Sequence, residues 1–271
     1  MDAARALRSM PANLTDETRV LARLDGRMAN VPVSSALGSF AVESALPVRA
    51  FFSWPGKRNY EGLWWSSTMR SHVGFESLLE RDFLLGADHD RGIVAVSSQP
   101  FVFLWPRGTE GARWHVPDFF VRLRDGTGRV IDVKPAGRVR SAQHQFDLTR
   151  TGCVAAGWDY EVFTGLAERQ AANLRWLAGY RQDRFAPDEA TAAVLANSFA
   201  PGASLAAGVR RAARVLGTDS GIVHAQVLHL LFAGVLNVEL DVPLSQDSAV
   251  CPASTPRAGV GREAGAWKAA S

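Results

Sequence analysis

The chain has 271 residues, 47% of them hydrophobic and 21% charged, enough apolar material for one sizeable core or for a medium core with a small satellite, which excludes a disordered or fibrous protein. A net charge of +3 is compatible with a nucleic-acid partner without indicating one. The longest apolar run, Val227 to Leu236, falls well short of a bilayer span, and charged residues from Arg5 to Arg23 interrupt any export signal; no membrane partner is expected, and the expected location is the cytoplasm.

Residues 1–45 show no sustained period, and Asn30 through Ser39 has linker composition, so this segment reads as a mobile N-terminal arm. From Pro47 aromatic residues crowd the chain (Phe51, Phe52, Trp54, Tyr60, Trp64, Trp65), interrupted by a turn over Trp54 to Asn59. Beside basic residues such rings could stack on bases, although packing against a core is their commoner use. Phe75 to Leu85 sets Phe75, Leu78, Leu79 and Phe83 on one helical face. Ile93 to Trp105 is β-branched and aromatic, and the break at Gln99-Pro100 makes it two strands or one bent strand.

Strands over 114–123 and 129–134 flank Asp125-Gly126-Thr127-Gly128, a hairpin signal, so the sheet is at least partly antiparallel. A helix is predicted over 141–156, a strand over Tyr160 to Thr164, and a helix over 167–180. Helix, three-strand meander, helix, strand, helix makes an α/β core, assigned to residues 46–186. Pro187 and Asp188 suit the start of a further helix. Three helical patterns follow, over 188–198, 203–216 and 219–233, and then the alternating stretch Leu236 to Val242. They predict a small, mostly helical, winged-helix-like domain over 187–244. Residues 245–271, poor in large apolar side chains, read as a disordered tail. Cys153 and Cys251 stand far apart without His or Cys at metal spacing, which removes zinc folds and disulfide scaffolds.

The chemistry concentrates in one pattern: Pro117-Asp118, thirteen residues, then Asp132-Val133-Lys134. Alternate side chains of a strand share a face, so Asp132 and Lys134 point one way while Ile131 and Val133 point into the hydrophobic side. With Gly128 in the left-handed position of a three-residue bulged loop, Phe120 would pair with Lys134 and Arg122 with Asp132. That register carries Asp118 to the Asp132 face, beyond the paired segment. Two carboxylates would then converge and could hold a hard divalent cation. On the preceding helix, Glu76 and Glu80 lie one turn apart, where like charges cost about 0.2 to 0.5 kcal/mol unless a cation or an arginine compensates. Of the 30 basic residues only Lys57, Lys134 and Lys268 are lysine. A compact ammonium at position 134 suits orienting a water or steadying charge on a phosphate.

Helix glutamate, P-D strand, hairpin, D-x-K strand and helix, in that order, resemble the PD-(D/E)xK nuclease superfamily. The segments S-L-L-E-R-D-F-L-L (77–85), S-Q-P-F (98–101), V-P-D-F-F (116–120) and V-I-D-V-K-P (130–135) are similar to the TnsA-type endonuclease subunit of heteromeric cut-and-paste transposases. The resemblance covers roughly residues 50–185, and the small C-terminal domain is of the kind that family carries. It implies a restriction-endonuclease-like core, a mixed sheet flanked by helices, in a bacterial, magnesium-dependent enzyme in which manganese can substitute. Its implied partners are double-stranded DNA at transposon ends, an integrase-type transposase subunit and an AAA+ regulator, and its task is to nick the non-transferred strand.

By position the family's catalytic glutamate falls on Glu80, its aspartate on Asp118 and its lysine on Lys134. Where Asp132 stands the family prototype carries glutamine, and the wider superfamily Asp or Glu. The implied metal set is Asp118, Asp132, Glu80 and the Val133 carbonyl, with Glu76 and Gln99 as accessory candidates. Arg138, Arg140 and Arg150, and in the second domain Arg210, Arg211 and Arg214, could line DNA or simply form solvated faces. His115 could approach a phosphate, though a partly buried strand histidine is the plainer reading; His224 and His229 read as structural. Two other functions remain open: a stand-alone restriction or repair nuclease on the same core, and a DNA-binding or assembly module with a silent centre.

Overall fold

Short strands buried on both faces carry no alternation of polarity, and the first sheet begins with one. In the computed structural model, which describes residues 10–24, 26–49, 60–199 and 202–253, β1 (Arg19–Leu24) pairs antiparallel with β2 (Arg27–Pro32). On its other side β1 pairs with β6 (Phe101–Leu104), Val20 facing Phe103, and β7 (Trp114–His115) completes the order β2-β1-β6-β7. The mobile arm read over 1–45 is therefore corrected: Val20, Leu21 and Ala22 are core residues, and a run this short and this uniformly buried gives no period to detect. Residues 1–9 of that arm, the rings of Phe51, Phe52 and Trp54 with their turn, and residues 254–271 of the tail lie outside the described residues.

Two compact units divide the chain, Met1–Leu84 with Gly92–Gly165, and Leu85–Arg91 with Leu166–Ser271. The boundary expected at 186/187 is thus corrected to the segment before α3 (Glu168–Leu177), because Leu174 and Leu177 of that helix are fully buried in the second unit. Among the described residues no helix is long and apolar enough to cross a membrane.

The first unit is mixed α/β. Its second sheet has the order β10-β9-β8-β5, formed by β5 (Ile93–Ser98), β8 (Phe119–Leu123), β9 (Gly128–Val133) and β10 (Asp159–Phe163). The β5, β8 and β9 pairings are antiparallel, and β10 joins parallel to β9. Helix α1 (Leu78–His89) covers one face, where Phe83 stacks on Phe119 at 4.9 Å and meets Phe163 edge-on at 5.4 Å. Helix α2 (Gln143–Ala156) covers the other, its Cys153 and Ala156 packing with Phe120, Val130 and Trp158. The helix predicted from Phe75 starts three residues later, since Phe75 ends the hairpin of β3 (Gly62–Ser66) and β4 (Ser71–Phe75) and Ser77 caps the helix.

The β8–β9 hairpin forms where expected, but in another register. Phe120 faces Val130 and Arg122 faces Gly128, a slip of four residues from the expected pairs, because Gly126 (φ +91°) takes the left-handed position assigned to Gly128. Gly128 is needed for space instead: a Cβ there would stand 2.5 Å from the Phe120 ring. A slip by an even number leaves every side chain on its intended face. Carried one step beyond Phe119 and Ile131, the observed register sets Asp118 directly opposite Asp132.

The second unit packs α3, α4 (Glu189–Ser198), α5 (Leu205–Leu216) and α6 (Ser220–Phe232). Side-chain oxygens of Asp188, Ser204 and Asp219 cap α4, α5 and α6 by accepting first-turn amides. A two-stranded ladder of β11 (Leu236–Val238) and β12 (Val250–Pro252) follows, with Leu236 and Val250 buried. The disordered tail is corrected over its first residues: one buried valine and a three-residue strand suffice to hold 245–253, and neither leaves a compositional mark.

Candidate active site

Asp118 and Asp132 meet at the end of the β8–β9 ladder. The Gln99 amide donates to the Asp118 carbonyl at 2.9 Å, and the Val133 amide donates to Asp118 Oδ2 at 2.7 Å, so backbone from the β5–β6 bend and from β9 fixes this acid. Burial holds the Asp118 carboxyl well above the usual aspartate range, helped by the charges of Asp132 and Glu80; the Val133 amide and Lys134 pull the other way. Asp132, Glu80 and Lys134 therefore all act on the Asp118 carboxyl. Lys134 is anchored through its amide, which donates to the Phe163 carbonyl at 2.9 Å.

Glu80 carries a second duty. Its Oε1 accepts from the Ser77 hydroxyl at 2.8 Å, its Oε2 accepts from the Glu76 amide at 2.7 Å, and its own amide donates to Ser77 Oγ at 3.2 Å. This reciprocal arrangement is a close variant of the capping box, spelled in the sequence as S-x-x-E at 77–80. Burial raises the Glu80 carboxyl above its ordinary value, opposed by those two donors. Glu76 is paired with Arg49 at 2.8 Å. Arg49 also donates to Gln99 Oε1 at 2.9 Å, so both accessory candidates belong to one network beside the acids. Gln99 is itself buried, with φ +47°.

Asp132 is 2% exposed, and its carboxylate is clasped. His115 Nε2 lies 2.8 Å from Oδ1 and 2.9 Å from Oδ2, and the Tyr160 hydroxyl donates to Oδ2 at 2.6 Å. Burial and the Asp132 charge raise the Tyr160 hydroxyl far above its usual value, so it stays a donor. The Arg150 guanidinium lies over the Tyr160 ring at 5.4 Å. Sequence reasoning considered His115 for a phosphate and passed over Tyr160. Its position, diagonal to Asp132 across the parallel β9–β10 pair, is visible only once that register is known.

Arg138 and Arg140 are exposed in two short turns of 3-10 helix just beyond Lys134. Arg210, Arg211 and Arg214 are exposed on α5 of the second unit, with Arg211 donating to the Ser198 carbonyl at 3.3 Å. His229 Nδ1 bonds the Tyr180 carbonyl at 2.8 Å, a structural use; His224 Nε2 is buried without a partner among the described residues.

Among the described residues no three His, Cys, Asp or Glu side chains are gathered as a metal-holding group. Magnesium asks for less than that, since it commonly takes one or two carboxylates and keeps several waters. Asp118 and Asp132, hard oxygen donors whose mutual repulsion a cation would relieve, fit such an ion; the nearby Cys153 thiol, buried and raised well above its ordinary value, does not enter the donor set. No family model matches the chain, and no curated protein matches it.

Proposed function

We propose that the chain is a magnesium-dependent DNA endonuclease of the PD-(D/E)xK kind, with a restriction-endonuclease-like first unit and a winged-helix-like arrangement of α4, α5, α6 and the β11–β12 ladder. One observation carries the reading: Asp118 and Asp132 face each other across β8 and β9, with Glu80 and Lys134 acting on the same carboxyl. Like charges set together in a buried place oppose folding, and holding a cation for phosphodiester chemistry gives them a use.

Asp118 and Asp132, with the Val133 carbonyl and Glu80, would hold the metal. Bound there, magnesium would acidify a water and offset charge on the scissile phosphate. Lys134, a single movable charge fixed at its backbone, orients the attacking water and steadies the phosphate oxygens. Gln99 and Val133 hold Asp118 in place through their amides, and Ser77 and the Glu76 amide orient Glu80. Hydrolysis would leave 5′-phosphate and 3′-hydroxyl ends. The resemblance to TnsA-type subunits extends the proposal to transposon ends, an integrase-type transposase partner and an AAA+ regulator, the chain nicking the strand that its partner leaves uncut.

The test is cleavage of DNA bearing the ends of the element that encodes the protein, with magnesium, with and without the integrase-type partner. Asp118→Ala and Asp132→Ala should each lower the rate by about a thousandfold or more, as loss of a metal that generates the nucleophile demands. Full activity in either variant sinks the site assignment. Cleavage without the partner and without preference for the ends favours a stand-alone restriction or repair enzyme. A second reading draws on Glu80 and Asp132, whose oxygens already have protein partners: a DNA-binding module with a silent centre, which would bind the same DNA and cut nothing.

A further inference from the structure

An anionic strand that approaches Asp118, Asp132 and Glu80 meets their negative charge, and cationic donors fixed beside the acids would offset it. Lys134 bears on Asp118. Arg49, which no motif of the sequence marks, bears on Glu80.

Arg49 is held along one edge and open along the other. Its Nε donates to Gln99 Oε1 at 2.9 Å, and its Nη2 donates to Glu76 Oε2 at 2.8 Å. Nη1 has no partner among the described residues, and the side chain is 41% exposed. Nε and one N–H of Nη2 form the anchored edge of the planar fork, so the edge made by Nη1 and the second N–H of Nη2 is unspent. Arg122 shows the other use of this residue in the same unit. It makes five hydrogen bonds, to Glu43, Gly38, Phe40 and Gly126, and is 12% exposed, so every N–H it carries is taken.

An exposed arginine that merely faced Glu76 would be a mobile surface pair. Arg49 has a second anchor in Gln99, which is 1% exposed and whose backbone is bonded to Asp118 and Val48. Its open edge therefore points in a set direction, and two parallel N–H donors on a rigid fork suit the bidentate grip of phosphate oxygens. We infer that Arg49 is a substrate-binding residue that grips a backbone phosphate of DNA beside the acids, and that Gln99 and Glu76 are positioning residues that aim it. The inference rests on the nuclease reading above and adds to it the residue that seats the strand.

The test is binding of the full chain to a short labelled DNA duplex, followed by fluorescence anisotropy without divalent metal, so that nothing is cut. Arg49→Lys is the sharpest probe, because it keeps the charge and loses the fork. It should weaken binding by about tenfold, the lower end of what a hydrogen bond to a charged group is worth. Arg49→Gln should weaken it at least as much, and should lower the slope of log affinity against log salt by about one. Glu76→Ala keeps the backbone amide that serves Glu80 and should also weaken binding, whereas loss of an acid by charge alone would tighten it. With magnesium, Arg49→Lys should raise KM for the duplex and change kcat less.

An Arg49→Lys protein that binds and cleaves like the unmutated chain overturns the inference, since charge alone then suffices and Arg49 only offsets Glu76 and Glu80. If Asp118→Ala still abolishes cleavage in that case, the nuclease reading stands without it. Unchanged or tighter binding in Glu76→Ala overturns the aiming role. If the unmutated chain neither binds the duplex nor cuts it with magnesium, the nuclease reading fails and the inference falls with it. Should Arg49→Gln not fold, the affinity and KM of Arg49→Lys decide the matter.

Discussion

Asp118 and Asn173 are polar side chains set into apolar surroundings, one in each unit, and their surroundings treat them in opposite ways. The Asn173 amide is spent in full: its nitrogen donates to the Leu240 and Val242 carbonyls at 2.8 and 2.7 Å, and its oxygen accepts from the Leu244 amide at 3.3 Å. It pins a loop by replacing the backbone partners that loop lacks. Asp118 receives one amide hydrogen bond from Val133 and is otherwise pressed by the charges of Asp132 and Glu80. Satisfied polar burial is how a fold holds irregular chain, and it explains itself within the fold. Unsatisfied like charge has no such explanation, and points outward to a ligand.

Measured stabilities can break that contrast. The largest effect belongs to Asn173→Ala, which takes the side-chain partners from the Leu240 and Val242 carbonyls and the Leu244 amide; since water reaches this loop, where Val242 is 49% exposed, unfolding in urea should show a loss of about 2 kcal/mol, the net worth of the lost hydrogen bonds. A loss below about half that would mean the loop is held by something else. Asp118→Asn should act with the opposite sign. Removing one charge from the cluster should raise the melting temperature of the metal-free protein by a few degrees, about what 1 kcal/mol gives in a chain of this size. If it melts lower, as Asn173→Ala must, the cluster is structural and the contrast fails.

The smallest effect lies in pH. Asp118 and Glu80 hold their protons above the ordinary range in the folded state, so their contribution to stability is fully present below the unfolded-chain values near pH 4 and is lost as pH rises through the raised folded values. The stability gap between Asp118→Asn and the unmutated protein should accordingly widen from pH 5 to pH 8. Denaturant midpoints at both values, without divalent metal, measure it. A gap that narrows would place the repulsion elsewhere.

Much of this was legible in the sequence wherever a side-chain period or a turn code existed. Phe83 on α1, a tight turn at Asp125-Gly126 and the Asp188 cap all lie where their chemistry required. The facing of Asp118 and Asp132 was legible as well, because facing depends only on parity, and parity survived a register slip of four residues. Lost were the contacts that depend on pairing between distant strands. β1 joins β6 across some 80 residues with no local signal, and the clasp on Asp132 needs both that sheet's last strand and the parallel β9–β10 register. The S-x-x-E cap at Ser77 and Glu80 is a different case. It is spelled in the sequence as S-x-x-E, in which one glutamate reads both as a cap and as a site residue.

At Gln99 the chain passes from one sheet into the other, β5 behind it and β6 ahead. Its left-handed backbone, which costs a non-glycine residue about 1 kcal/mol or more, lets its amide hold Asp118 while its carbonyl accepts the Val48 amide at 3.0 Å. The acid is thus registered to a hinge between two sheets, just as Asp132 is held by a donor from each. A folding intermediate with only one sheet in place lacks the strut for the first acid and half the grip on the second. The pairing of the two acids therefore requires both sheets, and a chain that has formed only one of them carries the residues of the site without their arrangement.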